Sequence, residues 1–194
     1  AVTFYDIEFD NRIVQLDTSV LEGIDYKEEV DGSYINAGGQ KSQGVELLAS
    51  YQLTSALRLS GSYTYDDSEY LGTGDTGLDA ESGIVAGNRV YGGPKNFYSL
   101  AVDYMGDALS SGLSLRHIGD RYINFENSAS APAYDVIDAY IGADFTDVVP
   151  QLKEVHVRLN VNNLLDREYI IGVGTNSVYP GSPRTVSLTI GADF

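Results

Sequence analysis

Several sets of residues have types and spacing that would serve chemistry. Gly72-Thr73-Gly74-Asp75-Thr76-Gly77 matches the G-x-G-x-x-G pattern of a turn that cradles a pyrophosphate. That job needs a strand before the turn, a helix opening at its end and an acidic residue about 20 positions on. No helical periodicity follows here, and Asp66, Asp67, Glu69, Asp75 and Asp79 would repel the phosphates, so the segment reads as a loop. The same acids would suit a hard cation such as calcium, but their order does not follow D-x-[DN]-x-[DN]-G, and a solvated acidic loop is the plainer expectation. His117 and His156 stand alone, with no second His or carboxylate at ligand spacing. His117 is expected on an outward strand face near the strand end, and His156 on the inward face near a turn where water satisfies it. No metal site and no cofactor are predicted. Serine and aspartate are plentiful, but no G-x-S-x-G elbow supports nucleophilic catalysis, so the chain is not read as an enzyme.

What remains is recognition. Arg89, Tyr91, Arg121, Tyr122, Asn124 and Tyr179 all fall between strand patterns. Arginine pairs with anionic chelates, and tyrosine offers a flat face with a hydroxyl. The competing reading is that each braces its own loop.

Composition narrows the partners. The chain has 194 residues, enough for one domain, and carries a net charge of −16. That surplus of acid excludes a nucleic-acid surface, which needs Lys and Arg against phosphate. A 43% apolar fraction is that of a folded protein. There is no cysteine, hence no disulfide framework or thiolate metal site. No run approaches the roughly 18 apolar residues of a membrane-spanning helix. The N-terminal AVTFYDIEFD has neither the basic start nor the apolar run of a signal peptide, and is expected to be processed or cut from something larger.

The elements that would hold the loop residues are strands. Residues alternate at a period of two in eight segments. Tyr5, Ile7 and Phe9 face away from Asp6, Glu8 and Asp10. Val45, Leu47, Ala49, Tyr51 and Leu53 make the second apolar face, and Leu57, Leu59, Tyr63 and Tyr65 the third. Tyr98, Leu100, Val102 and Tyr104 follow, then Leu113 and Leu115, then Ile137, Ala139, Ile141, Ala143 and Phe145. Val155, Val157, Leu159 and Val161 form the seventh. In the last strand Val186, Leu188, Ile190, Ala192 and Phe194 oppose Ser187, Thr189, Gly191 and Asp193.

Connections after the first, third, fifth and seventh strands are long, roughly 10–30 residues, and the others are short, as a barrel with short periplasmic turns and long outer loops requires. Tyr51, Tyr65, Tyr104, Phe145 and Phe194, near the ends of the apolar faces, fit interfacial girdles. The expectation is an all-β, antiparallel transmembrane barrel wall of about eight strands, its outer face against outer-membrane lipid. Two alternatives stay open. One is a complete eight-stranded barrel with a structural or adhesive role, although the Ser-, Asn-, Gly- and Asp-rich inner faces lack an obvious network to fill it. The other is a soluble β-sandwich that binds a partner.

Four segments in order resemble the C-terminal half of TonB-dependent outer-membrane receptors. Asn163-Leu164-Leu165-Asp166-Arg167-Glu168-Tyr169 is similar to the family's N-L-F-D-x-x-Y box, with Leu165 in place of Phe. Pro180-Gly181-Ser182-Pro183-Arg184-Thr185-Val186 is similar to its P-G-x-P-R-x-h approach to the last strand. Asn36-Ala37-Gly38 with Gly44-Val45-Glu46-Leu47, and Gly87-Asn88-Arg89-Val90 leading to Pro94-Lys95-Asn96, resemble segments further upstream. The resemblance implies that residues 1–194 are the last eight strands of a 22-stranded barrel, with the plug domain and coupling segment absent. It implies import of a ferric siderophore or other iron chelate across the outer membrane of a Gram-negative bacterium. Energy would come from a TonB-type coupler acting through the missing N-terminal region, and insertion machinery would read the C-terminal strand. Asn163, Leu164, Leu165, Asp166, Tyr169, Gly181, Pro183, Arg184 and Phe194 are expected to fix barrel geometry, with Arg184 pairing to Asp166 or Glu168.

Overall fold

The structure, a computed structural model, describes residues 1–15, 34–36, 38–74, 79, 82–146, 152–174 and 177–193. Among them the strands are β1 (Val2–Phe9), β2 (Ile13–Gln15), β3 (Tyr34–Asn36), β4 (Gly39–Gln52), β5 (Leu57–Gly72), β6 (Asn96–Met105) and β7 (Leu109–Ile118). They continue with β8 (Arg121–Tyr122), β9 (Ser130–Ala131), β10 (Tyr134–Thr146), β11 (Glu154–Asn162), β12 (Ile170–Gly174), β13 (Ser177–Pro180) and β14 (Thr185–Asp193). Eight of these form one antiparallel sheet in the order β1-β4-β5-β6-β7-β10-β11-β14. The other six make three small hairpins, β2–β3, β8–β9 and β12–β13.

Because directly opposed residues in an antiparallel pair share a face, the register extends each row of side chains across the sheet. Val102, Leu113, Ala139 and Val161 share one such row, and so do Ile141, Leu159 and Leu188. The outcome is a continuous apolar belt that stays exposed: Leu100, Leu113, Ile141, Leu188 and Ile190 all present large uncovered surfaces. In water such a patch would far exceed what a monomer tolerates, whereas lipid is its natural solvent. At roughly 3.3 Å per residue the row from Ile137 to Phe145 runs about 26 Å along the strand, enough with strand tilt to cross most of a hydrocarbon core. Tyr51, Tyr104 and Phe145 lie on the belt toward the end of the short connections 53–56, 106–108 and 147–153; Tyr65 lies on it toward the other end. Phe194 lies outside the described residues.

The first strand corrects one expectation. Tyr5, Ile7 and Phe9 do face away from Asp6, Glu8 and Asp10, but they turn to the polar side of the sheet, and Val2 and Phe4 join the belt opposite Leu47 and Val45. The reason lies across the strand pair. Tyr5 opposes Gly44, which leaves room for the ring: a Cβ on Gly44 would fall 2.3 Å from the Tyr5 hydroxyl. That hydroxyl donates to Asp66 Oδ1 at 2.9 Å, one strand further on.

The sheet is open. β1 and β14 are its two edges, and no pairing joins them among the described residues. A complete eight-stranded barrel needs that pairing, so this alternative fails. A sandwich fails as well, because its belt face would be covered by a second sheet. The polar face also carries the network that the sequence hid: Arg58 pairs with Asp103 at 3.4 Å, Tyr140 donates to Asp103 at 3.0 Å, and the Arg158 guanidinium lies 3.8 Å from the Tyr140 ring centre. The side chains most shielded from solvent lie elsewhere. Tyr70, Ile84, Phe125, Ala131 and Val136 are buried where the long connections 73–95 and 119–133 fold against the ends of β5 and β10.

Candidate functional site

The segments 82–95 and 119–133 of two long connections build a platform beyond the belt, on the side away from the short turns. β5 outruns its neighbour β6, and its free edge is taken up by the segment 87–90: Tyr70 N–H donates to Asn88 O at 2.8 Å, Gly87 N–H to Tyr70 O at 2.9 Å, and Val90 N–H to Ser68 O at 3.1 Å. The Tyr70 ring is fully buried against Phe125 at 6.0 Å, and Tyr91 stacks edge-on against the same Phe125 at 4.7 Å. Asn88 Nδ2 donates to Phe125 O at 2.9 Å, and Asn127 takes hold of the Arg89 backbone. The two connections are thus joined through side-chain amides and one aromatic cluster. Loops of this length stay put only where their backbone polar groups find such partners.

The sequence-predicted residues take different places on this platform. Arg89 has its guanidinium 5.4 Å from the Tyr122 ring centre, 3.8 Å from the Asp120 carboxylate and 3.5 Å from Gly93 O. Together with Gln40, Ser42, Asp66, Ser68, Val90 and Gly93 it lines a polar cavity of about 170 Å³. Arg121 is buried; Nη2 donates to Ile170 O, the guanidinium lies over Tyr134 at 5.6 Å, and Nη1 has no hydrogen-bond partner. It ties the β8–β9 hairpin to the start of β12. Tyr122 O accepts from Gly92 N–H at 2.8 Å. Asn124 closes its own turn, accepting from Ser128 N–H at 3.1 Å and donating to Ser128 Oγ at 2.7 Å. Tyr179, on β13, is widely exposed. Arg89 and Tyr122 therefore come together, Tyr91 packs against Phe125, Arg121 and Asn124 serve the scaffold, and Tyr179 stands apart on the last connection.

Asn163 opens that last connection and is buried. Its side chain donates to Arg167 O at 2.9 Å and to Ser182 O at 3.1 Å, while its Oδ1 accepts from Arg167 N–H at 2.9 Å. Asp166 accepts from Arg184 N–H at 2.8 Å and pairs with the Arg184 guanidinium at 3.8 Å. Gly181 lies under the Tyr169 ring, where a Cβ would fall 2.1 Å from Cζ, and Tyr169 in turn meets Tyr134 at 4.6 Å. Pro183 follows, and Leu164 N–H donates to Ile137 O at 2.7 Å while Leu165 is exposed. The box residues and the approach to β14 thus lock together across 163–184.

Three of the acids near the G-x-G-x-x-G segment are engaged separately. Asp66 accepts from Tyr5 and Ser68, Asp79 accepts from Thr73 N–H at 2.7 Å, and Asp67 pairs with Lys95 at 2.8 Å. That carboxylate holds the Lys95 ammonium above its ordinary pKa range. Asp75 and Gly77 lie outside the described residues. His117 stacks on Tyr98 at 4.7 Å and meets Asp135 at 2.8 Å on the belt face, near the strand end. Both histidines correct the reading that they stand alone: Asp135 meets His117, and Asp144, Glu154 and Asp193 surround His156. Sequence spacing missed Asp144 and Asp193 because they arrive from neighbouring strands, whereas Glu154, two residues before His156 on the same strand face, was there to be read. Tyr70, Asn88, Phe125 and Asn127 were missed for the same reason, their partners lying far along the chain.

Residues 1–164 match the family described as "TonB dependent receptor-like, beta-barrel". The ferrioxamine receptor of Yersinia enterocolitica is 33% identical over 163 residues, covering 83% of this chain and 22% of that protein. The ferrichrome outer membrane transporter/phage receptor of Escherichia coli K12 is 35% identical over 167 residues, covering 82% and 21%. The chain thus spans about a fifth of the length of these curated relatives. Among solved structures, BauA, the ferric preacinetobactin receptor from Acinetobacter baumannii, superposes with a TM-score of 0.73 at 22% identity, over 100% of this chain and 27% of that one. At that identity the likeness speaks for the fold.

Proposed function

The chain belongs to the TonB-dependent receptor β-barrel family, and from that premise we propose that it is the C-terminal part of the barrel of an outer-membrane receptor that binds and imports a ferric siderophore. The observation that carries the reading is the likeness, over more than four fifths of the chain, to two proteins named for ferrioxamine and ferrichrome. The geometry supports it. An exposed apolar belt suits lipid, the opposite face is polar, and a braced platform of long connections offers Arg89, beside Tyr122, in a polar cavity beyond the belt.

In this reading the sheet's two open edges meet further strands of a larger wall, and a plug occupies its lumen. An energy-coupling protein acts through a segment outside these 194 residues, and insertion machinery engages the closing strand. The receptor sits in the outer membrane of a Gram-negative bacterium. The family is one of receptors and transporters, and no reaction is assigned to the chain. Selection of the ligand falls to the platform and the last connection, where a guanidinium and phenol faces are within reach of an incoming chelate.

The test uses the full-length receptor in a host stripped of its own ferric-siderophore receptors. On iron-chelated medium, ferrioxamine or ferrichrome should restore growth only when both the receptor and the energy coupler are present. Growth that needs neither, or a receptor that binds no ferric siderophore, overturns the proposal.

A further inference from the structure

We propose that the end of the wall carrying the short turns holds a divalent transition-metal site, with His156 Nε2, Asp193 and Glu154 as ligands and Asp144 as the residue that orients the imidazole. This goes beyond nutrient import and does not rest on the identity of the siderophore.

Three neighbouring strands bring the groups together on the polar face. On β11, Glu154 and His156 are two residues apart and so point to the same side. Asp144 of β10 is directly opposite His156, and Asp193 of β14 is directly opposite Glu154. Gly191, opposite His156 on β14, has no side chain to block the ring, which lies over it with Cδ2 3.9 Å from where a Cβ would be.

The two ring nitrogens have distinct surroundings. Nδ1 is 2.9 Å from Asp144 Oδ1. A carboxylate there holds the proton on Nδ1, as in many metal-binding histidines, so that Nε2, which here donates to Asp193, becomes a ligand once a metal displaces its proton. Nε2 faces Asp193 Oδ2 at 3.2 Å and Glu154 Oε2 at 4.0 Å. In a tetrahedral zinc site with bonds of about 2.0–2.1 Å, adjacent ligand atoms are roughly 3.3 Å apart. The Nε2–Asp193 pair already has that spacing; Glu154 is wider at 4.0 Å, and the Glu154 and Asp193 side chains, from facing positions on β11 and β14, would have to swing toward one ion for both to bind it. His156 and Asp193 are both partly open to solvent, so an ion has an entry path and water can fill a fourth position.

Charge favours the same occupant. Among the described residues no Lys or Arg pairs with Asp144, Glu154 or Asp193, so three carboxylates share one imidazole. A proton on His156 offsets one negative charge; a divalent ion offsets two. The nitrogen ligand selects a borderline ion such as Zn²⁺ over Ca²⁺ or Mg²⁺, which prefer all-oxygen shells. The bound ion would clip β10, β11 and β14 together at the rim.

The experiment is a calorimetric titration of the intact, chelator-stripped receptor in detergent with Zn²⁺, and in parallel with Ca²⁺. The wild type should bind one more zinc per receptor than His156→Ala. Asp193→Asn and Glu154→Gln should each weaken that zinc at least tenfold, and Asp144→Asn by about 10–100-fold, as loss of an outer partner does. Heat-modifiable gel migration must be unchanged in each variant; should His156→Ala fail to fold, His156→Gln replaces it at nearly equal volume. Equal zinc stoichiometry and affinity in wild type and the His156 variant, or Ca²⁺ competing equally at that site, overturns the proposal.

Discussion

The carboxamide of Asn127 grips the backbone of Arg89 from both sides: its Oδ1 accepts from the Arg89 N–H at 2.7 Å and its Nδ2 donates to the Arg89 carbonyl at 2.9 Å. One side chain thus does for the 82–95 segment what a neighbouring strand does for β5. Asn127 itself sits at a φ of 57°, a left-handed conformation that Asn tolerates better than most residues.

Replacing Asn127 with Ala should therefore loosen the platform and leave the wall intact. Two lost hydrogen bonds, with the Arg89 groups left partly unpaired, cost about 1–3 kcal/mol. Hydrogen exchange in 82–95 and 119–133 should rise while heat-modifiable migration stays the same. Asn127→Gly, which removes the clamp but accepts the φ, should give the same exchange pattern. If only the Ala variant loosens the loops, backbone strain rather than the clamp is responsible.

Arg89 and Arg121 should separate by role. Arg89→Ala in the full receptor removes a partly exposed guanidinium from the polar cavity and should weaken ferric-siderophore binding by about 1–3 kcal/mol. Arg121 is buried, so Arg121→Ala should first raise protease sensitivity of the β8–β9 hairpin and reduce binding only as that hairpin loosens. Equal binding loss from both, with no change in protease sensitivity for Arg121→Ala, would place Arg121 in direct contact with ligand.

The belt sets a difference between faces. Leu159→Arg and Ile190→Arg put a charge against hydrocarbon and should each cost about 2–4 kcal/mol near the midplane. Asn160→Arg and Thr189→Arg, one position along on the polar face, should be nearly neutral. Folding titrations of the intact receptor into lipid vesicles measure both, and equal costs on the two faces would reverse the register.

The open edges are testable by cross-linking. In the intact receptor, Phe4→Cys with Leu188→Cys should form no disulfide, because the strands that carry them are at opposite edges of the eight-stranded sheet. Efficient cross-linking within one receptor would mean that the wall closes on itself.

Eight strands, the outward faces of all but the first and the alternation of long and short connections were legible in the residues from Tyr5 to Asp193, because a period of two and a turn signal are local properties of the chain. So was the box from Asn163 to Tyr169, several of whose partners (Arg167, Ser182, Arg184) lie within the same connection. Tertiary structure alone decided the rest. It turned Tyr5 to the polar face, because Gly44, across the strand pair, leaves room for the ring and Asp66 accepts the hydroxyl. Arg121 became a buried brace because Ile170, far along the chain, lies within its reach. Two of the three carboxylates around His156 are there because register, which no single strand encodes, sets Asp144 and Asp193 beside β11. A strand's sequence fixes which of its residues share a face. Only pairing fixes which residues of other strands they meet, and the chemistry of this wall lies in those meetings.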